Sequence, residues 1–131
     1  MKGISLVVPF GMLLGFGCGG SSASPVEYCD RVAETQCTLV YQCYTDAQRT
    51  AAGYPATEAA CVTQIETALG CSAVTSANVC TSSNAVYHGE AVDGCISQAA
   101  NLSCAEFSTV GSTTPLESVA PKCAEVCVIP G

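Results

Sequence analysis

The sequence predicts an all-α domain, a small bundle of three or four short helices with irregular loops, stapled by disulfides. Three observations carry this. Helix-spaced apolar residues recur behind capping signals. Ten cysteines follow Cys18, about 9% of that part of the chain, a density typical of disulfide scaffolds. Val, Ile, Leu and Phe together make up only 20 of the 114 residues from Cys18 onward, and there is no Trp, so side-chain burial alone would give a thin core. Bridges worth roughly 2–4 kcal/mol each are comparable to the whole stability of a small domain. At 131 residues the chain is long enough for one domain.

The N-terminus comes first in chain order. Met1-Lys2 is a short positive start, and Ile4 to Phe16 follows without a charge. A run of about 13 residues is too short to span a bilayer, which needs about 20, but suits the apolar core of an export signal. Pro9 within it also disfavours a stable membrane helix. Residues 1–17 therefore read as a signal peptide and 18–24 as a Gly/Ser tether, with the Cys-rich domain over 25–131. Leu13-Leu14-Gly15-Phe16-Gly17-Cys18-Gly19-Gly20-Ser21-Ser22 resembles a bacterial lipoprotein signal. In that family the cysteine is lipidated and becomes the new N-terminus. Gly17 and the Gly/Ser run fit the pattern. Gly15 departs from it, because the usual leucine three places before the cysteine here lies one further back, at Leu14. Gly20, where an Asp would signal inner-membrane retention, implies the outer membrane. The alternative is ordinary cleavage after Ala23, since Ser21-Ser22-Ala23 is an acceptable small-x-small site, and that would release a soluble protein. Either way Cys18 leaves the disulfide count and an even ten remain.

Ser24-Pro25-Val26-Glu27 is a helix start, with a capping serine, a proline suited to the first turn and a glutamate placed for a capping box. The stripe Cys29, Val32, Ala33, Gln36, Cys37, Val40, Cys43 and Tyr44 predicts a helix over 25–44. Residues 45–56, polar and containing Gly53 and Pro55, read as a loop. A second helix starts at Tyr54 or Thr57, turns Cys61, Ile65, Ala68 and Leu69 inward, and stops at Gly70. Residues 72–86, rich in Ser, Thr and Asn, read as irregular. A third helix over 89–101 places Val92, Cys95, Ile96 and Ala99 inward. Ser103-Cys104-Ala105-Glu106 is a second capping box, opening a short helix that Gly111 ends. Thr114-Pro115-Leu116-Glu117 marks a brief turn, and Pro121 and Pro130 bracket the tail. The second and third helices form a weak repeat, each with one cysteine in its first half and one just past its end.

Helix geometry restricts the bridges. Cys29 and Cys37 lie about 12 Å apart along one helix, and Cys61 and Cys71 about 15 Å. A disulfide needs Cα atoms within about 7 Å, so the bridges must join one helix to another. Antiparallel first and second helices would bring Cys29 to Cys71, and Cys37 or Cys43 to Cys61. Cys80, Cys95, Cys104, Cys123 and Cys127 complete the set, with pairings open.

No residue pattern points to catalysis. His88 is the sole histidine, and no nucleophile-elbow serine accompanies it. His88, Glu90 and Asp93 are of metal-ligand type but read as exposed polar residues at a helix start. Cys123-Ala124-Glu125-Val126-Cys127 lacks the further ligands zinc would want, and no CxxC occurs. The carboxylates are scattered, and the sequon Asn101-Leu102-Ser103 matters only in a eukaryotic secretory pathway. No catalytic residue, metal or cofactor is expected. All eleven acids follow Cys18 against Arg31, Arg49 and Lys122, a net −8 that repels nucleic acid.

Tyr28-Cys29, Cys37, Cys43 and the stretch from Tyr87 through Asn101-Leu102-Ser103-Cys104-Ala105-Glu106-Phe107 to Cys123 resemble the small Cys-rich lipoproteins of myxobacteria and their relatives. The resemblance covers most of 25–127 and implies export, disulfides and helices, with no activity to transfer. The expectation is a non-enzymatic cell-envelope lipoprotein with a structural or binding role. It would be held to the membrane through Cys18 and would face an envelope or extracellular partner. The alternative is a secreted binding module or inhibitor.

Overall fold

The computed structural model describes residues 21–131. The signal-peptide residues and Cys18 lie outside the described residues. Six helices succeed one another: α1 (Pro25–Cys43), α2 (Asp46–Ala51), α3 (Glu58–Leu69), α4 (Val92–Ala100), α5 (Cys104–Thr109) and α6 (Leu116–Val119). Three 3-10 turns lie at Cys71–Ala73, Gly89–Ala91 and Pro121–Glu125. Two short strands, β1 (Val86–Tyr87) and β2 (Cys127–Val128), pair antiparallel, with Val86 opposite Val128 and Tyr87 opposite Cys127. The molecule is a disulfide-stapled helical fold, as the cysteine density and helical periodicity predict.

Local chemistry explains most boundaries. The Ser24 hydroxyl accepts from the Glu27 amide at 3.2 Å, and Pro25 begins α1. Thr57 caps α3 through the Ala60 amide, and Gly70 ends it in the left-handed conformation at φ +67°. Ser103 and Glu106 form a complete capping box at the start of α5. The same box opens α2, where Thr45 accepts from the Gln48 amide and Gln48 reaches back to the Thr45 amide. The loop expected over 45–56 thus contains a helix, because Thr45-x-x-Gln48 stops the α-helical run of α1 and starts another. Arg49 fixes this corner. It pairs with Asp46, donates to the Tyr44 carbonyl at 2.5 Å and lies 4.5 Å from the centre of the Tyr41 ring.

Five bridges join the ten cysteines: Cys29–Cys71, Cys37–Cys61, Cys43–Cys104, Cys80–Cys127 and Cys95–Cys123. The antiparallel pairing of α1 and α3 delivers the first two. Cys43 goes to the start of α5, not to Cys61. Cys123 and Cys127 do not share a helix face, since Cys123 sits in a 3-10 turn and Cys127 in β2.

Sulfur forms much of the core. Cys29, Cys37, Cys61, Cys71, Cys80, Cys95 and Cys123 make up seven of the sixteen buried apolar residues among those described. Val92, Cys95, Ala120, Cys123 and Val126 cluster where α4 meets the C-terminal turn, with Ala23 beside them. Ala33, Leu39 and Val40 are the buried aliphatic residues of α1. On α3 only Cys61 is buried, and Leu69, expected inward, is 50% exposed. That helix is held by its bridges and by the Thr38 hydroxyl donating to Glu58 at 2.6 Å, so it buries little apolar surface of its own. The Arg31–Asp93 pair at 2.6 Å ties α1 to α4. Both partners are partly exposed, so it contributes at most about 1 kcal/mol.

The bridges differ in exposure, which orders their chemistry. Cys104 is exposed, whereas Cys37 and Cys61 are both 0% exposed. Under limiting reductant, Cys43–Cys104 opens first and Cys37–Cys61 last, measurable by trapping free thiols with an alkylating agent and mapping the peptides. Replacing Cys37 and Cys61 together by alanine lowers stability by about 2–4 kcal/mol in a urea unfolding curve.

Candidate functional site: a neutral cleft and an anchored N-terminus

Two features outside the covalent framework distinguish the surface. The first is a half-open cleft of about 570 Å³ between α1, α4, α5 and the segment running to α6. Its floor is Leu39, Cys95, Ala99 and Leu102, each buried. Val32, Gln36 and Leu39 arise from α1 at helical spacing, and Ile96 and Ala99 lie one turn apart on α4, so two straight helices define its long walls. Phe107 from α5 closes one end against Tyr44, with ring centroids 5.7 Å apart. Tyr28 stands at the other end, its ring 6.0 Å from Tyr87. Thr35, Gln36, Ser108, Ser112 and the tyrosine hydroxyls supply uncharged polar groups among largely apolar walls. No Asp, Glu, Lys, Arg or His lines it. In a chain with eleven acids this neutrality is local.

Burial raises the Tyr28 phenol above the ordinary tyrosine range, and the nearby Glu117 carboxylate adds to the effect. Tyr87 is raised as well, first by burial and then by Tyr28, Glu27 and Glu90. Both tyrosines therefore stay neutral hydrogen-bonding groups through physiological pH.

The second feature is the junction where the chain enters α1. Ala23 is 5% exposed and belongs to the cluster around Val92 and Val126. Its amide donates to the Gly89 carbonyl at 3.2 Å, and its carbonyl accepts from the Tyr87 hydroxyl at 2.8 Å. The Gly89 backbone packs against this segment so closely that a Cβ there would lie 2.3 Å from the Ala23 carbonyl oxygen and 2.5 Å from the Ser22 hydroxyl. The tether assigned to 18–24 is thus docked on the domain from Ser22 onward. Sequence reasoning missed this because a Ser/Ala run carries no periodicity. The one available signal was Gly89, a glycine at the start of a helix where a capping residue would be ordinary.

The residues weighed for chemistry are dispersed. His88 Nδ1 lies 2.9 Å from Glu90, while Asp93 faces Arg31. The Glu90 carboxyl is held below its ordinary range, first by its own backbone amide and then by His88. None of these three reaches the cleft.

The tyrosine environment gives a pH signature. A raised phenol pKa stabilises the fold fully below the unfolded tyrosine value, and the contribution is lost as pH rises through the folded value. In an alkaline ultraviolet titration Tyr28 and Tyr87 ionise above the ordinary range. Tyr28→Phe removes one phenolate equivalent from that late portion.

Compared with family models, with curated proteins and with solved structures, the chain has no match.

Proposed function

We propose that this chain is an exported, lipid-anchored, non-enzymatic domain of the bacterial cell envelope, held to the outer membrane through Cys18 and serving a structural or binding role. Five disulfides suit an extracellular or periplasmic location, and no helix among the described residues is long and apolar enough to cross a membrane.

The observation that carries the anchor is the burial of Ala23. Cleavage after Ala23 would delete a core residue, the Ala23 amide's hydrogen bond to the Gly89 carbonyl and the nearer of the two carbonyls, Ala23 and Ser24, that accept from the Tyr87 hydroxyl. Cleavage before Cys18 keeps the whole docked segment. The ten described cysteines are joined to one another, which fits either cleavage and asks nothing of Cys18. Three residues separate Cys18 from Ser22, four Cα–Cα steps that span about 14 Å at most, so a lipid there would hold this end of the domain near the bilayer. Val86 and Val128, facing each other across the ribbon at 47% and 40% exposure, and Ile129 at 60%, lie at the same end, since Tyr87 is the residue bonded to Ala23.

Metabolic labelling with a fatty acid, followed by intact mass of the extracted protein, tests this. Label on a peptide beginning at Cys18, abolished by Cys18→Ser, is the expected result; an unlabelled protein beginning at Ser24 would overturn it. A variant engineered to begin at Ser24 is destabilised by about 1–3 kcal/mol in urea unfolding, through the lost burial of Ala23 and the Gly89 carbonyl left without the Ala23 amide.

A further inference from the structure

We propose that the cleft between α1, α4 and α5 is a binding site for an uncharged, largely apolar small molecule. This gives a ligand class to the binding role above and rests on that half of the reading, independently of the lipid.

Size is the first argument. At about 570 Å³ the cleft falls in the range of small-molecule sites, roughly 300–1,000 Å³. Lining chemistry is the second. Leu39 and Ile96 offer aliphatic floor and wall, while Tyr44 and Phe107 offer ring faces at one end. Aromatic rings in this disposition hold apolar or planar ligands through area and ring-edge geometry. Gln36 places an amide with both donor and acceptor capacity on the α1 wall, which selects orientation and does not require a charged group.

Charge is the third argument and decides the class. A net −8 around the cleft disfavours an anionic ligand, and a cation that shed its water would meet no carboxylate in the lining, since Glu117, near Tyr28 at one end, is not part of it. A neutral molecule meets neither obstacle.

The walls are also fixed in advance. Cys95 forms part of the floor and is bonded to Cys123, while Cys104 opens α5 and is bonded to Cys43 at the end of α1. The cleft therefore exists before a ligand arrives, and little ordering has to accompany binding.

The test uses the exported protein with its disulfides intact and the uncharged fluorophore N-phenyl-1-naphthylamine. The expected result is a saturable fluorescence increase at one equivalent. Binding should be at least tenfold weaker for the anionic analogue 1-anilinonaphthalene-8-sulfonate and abolished on reduction. Gln36→Trp fills the cleft and raises the dissociation constant at least tenfold, while Ala59→Trp, on the exposed face of α3, leaves it within twofold. Each variant is checked for five bridges by mass and for helicity by circular dichroism. Methyl shifts at Ala99 and Leu102 on adding the probe locate the site even if Gln36→Trp fails to fold. No saturable binding, equal affinity for the anionic probe, or shifts elsewhere would overturn the proposal. Protein that binds the probe but carries no fatty acid removes the anchor and keeps the cleft; lipidated protein that binds no probe does the reverse.

Discussion

Everything in this fold is referred to one helix and its three cysteines. Cys29, Cys37 and Cys43 lie near the start, middle and end of α1. They bond to the turn after α3, to α3 itself and to the first residue of α5. A helix of 19 residues is long enough to serve as a ruler, and three covalent points along it leave α3 and α5 little freedom to slide or rotate. The other two bridges close the C-terminal half on itself, tying α4 to the last 3-10 turn and the 80s segment to β2. A chain so poor in large aliphatics depends on this arrangement, because the loop entropy removed by the bridges replaces part of what hydrophobic burial would otherwise supply.

The same economy explains why a cleft survives. In a domain rich in Leu, Ile and Phe, the space between α1, α4 and α5 would be filled by side chains, since voids in a well-packed interior are costly. Here Ala99 lies on the floor and Leu39, Val32 and Ile96 are the largest aliphatic groups the two helices contribute. The bridges set the helix separation, and the side chains do not fully occupy it. Stability and concavity therefore come from one source: covalent spacing where packing would otherwise decide the distance.

Much of this was legible in the residues. The capping serines and threonines, Pro25, Gly70 and the 3.6-residue periodicity fall where helices begin, turn inward and end, because those signals act through the nearest backbone amides and need no partner from afar. The exclusion of bridges within a helix also follows from rise per residue alone, and antiparallel helices then lead to Cys29–Cys71 and Cys37–Cys61. The α2 helix was legible too, through Thr45 and Gln48, but Gly53 and Pro55 dominated the composition of that stretch. The inward face assigned to α3 holds at Cys61 and in part at Ile65 but not at Ala68 and Leu69, since periodicity shows which residues share a face and not whether anything covers it.

The amino-acid sequence by itself determined the helices, the disulfide dependence, the acidic surface and the leader-like N-terminus, since each is a matter of composition or of contacts within a few residues. Only the tertiary structure decided that Cys43 reaches Cys104, that Cys80 reaches Cys127, that Ala23 lies in the core beneath Tyr87 and Gly89, and that seventeen uncharged residues from separate segments face one cleft. The two bridges and the Ala23 contacts join residues 47 to 66 positions apart, and their geometry, like that of the cleft, depends on how whole helices pack. Local propensities carry no record of that.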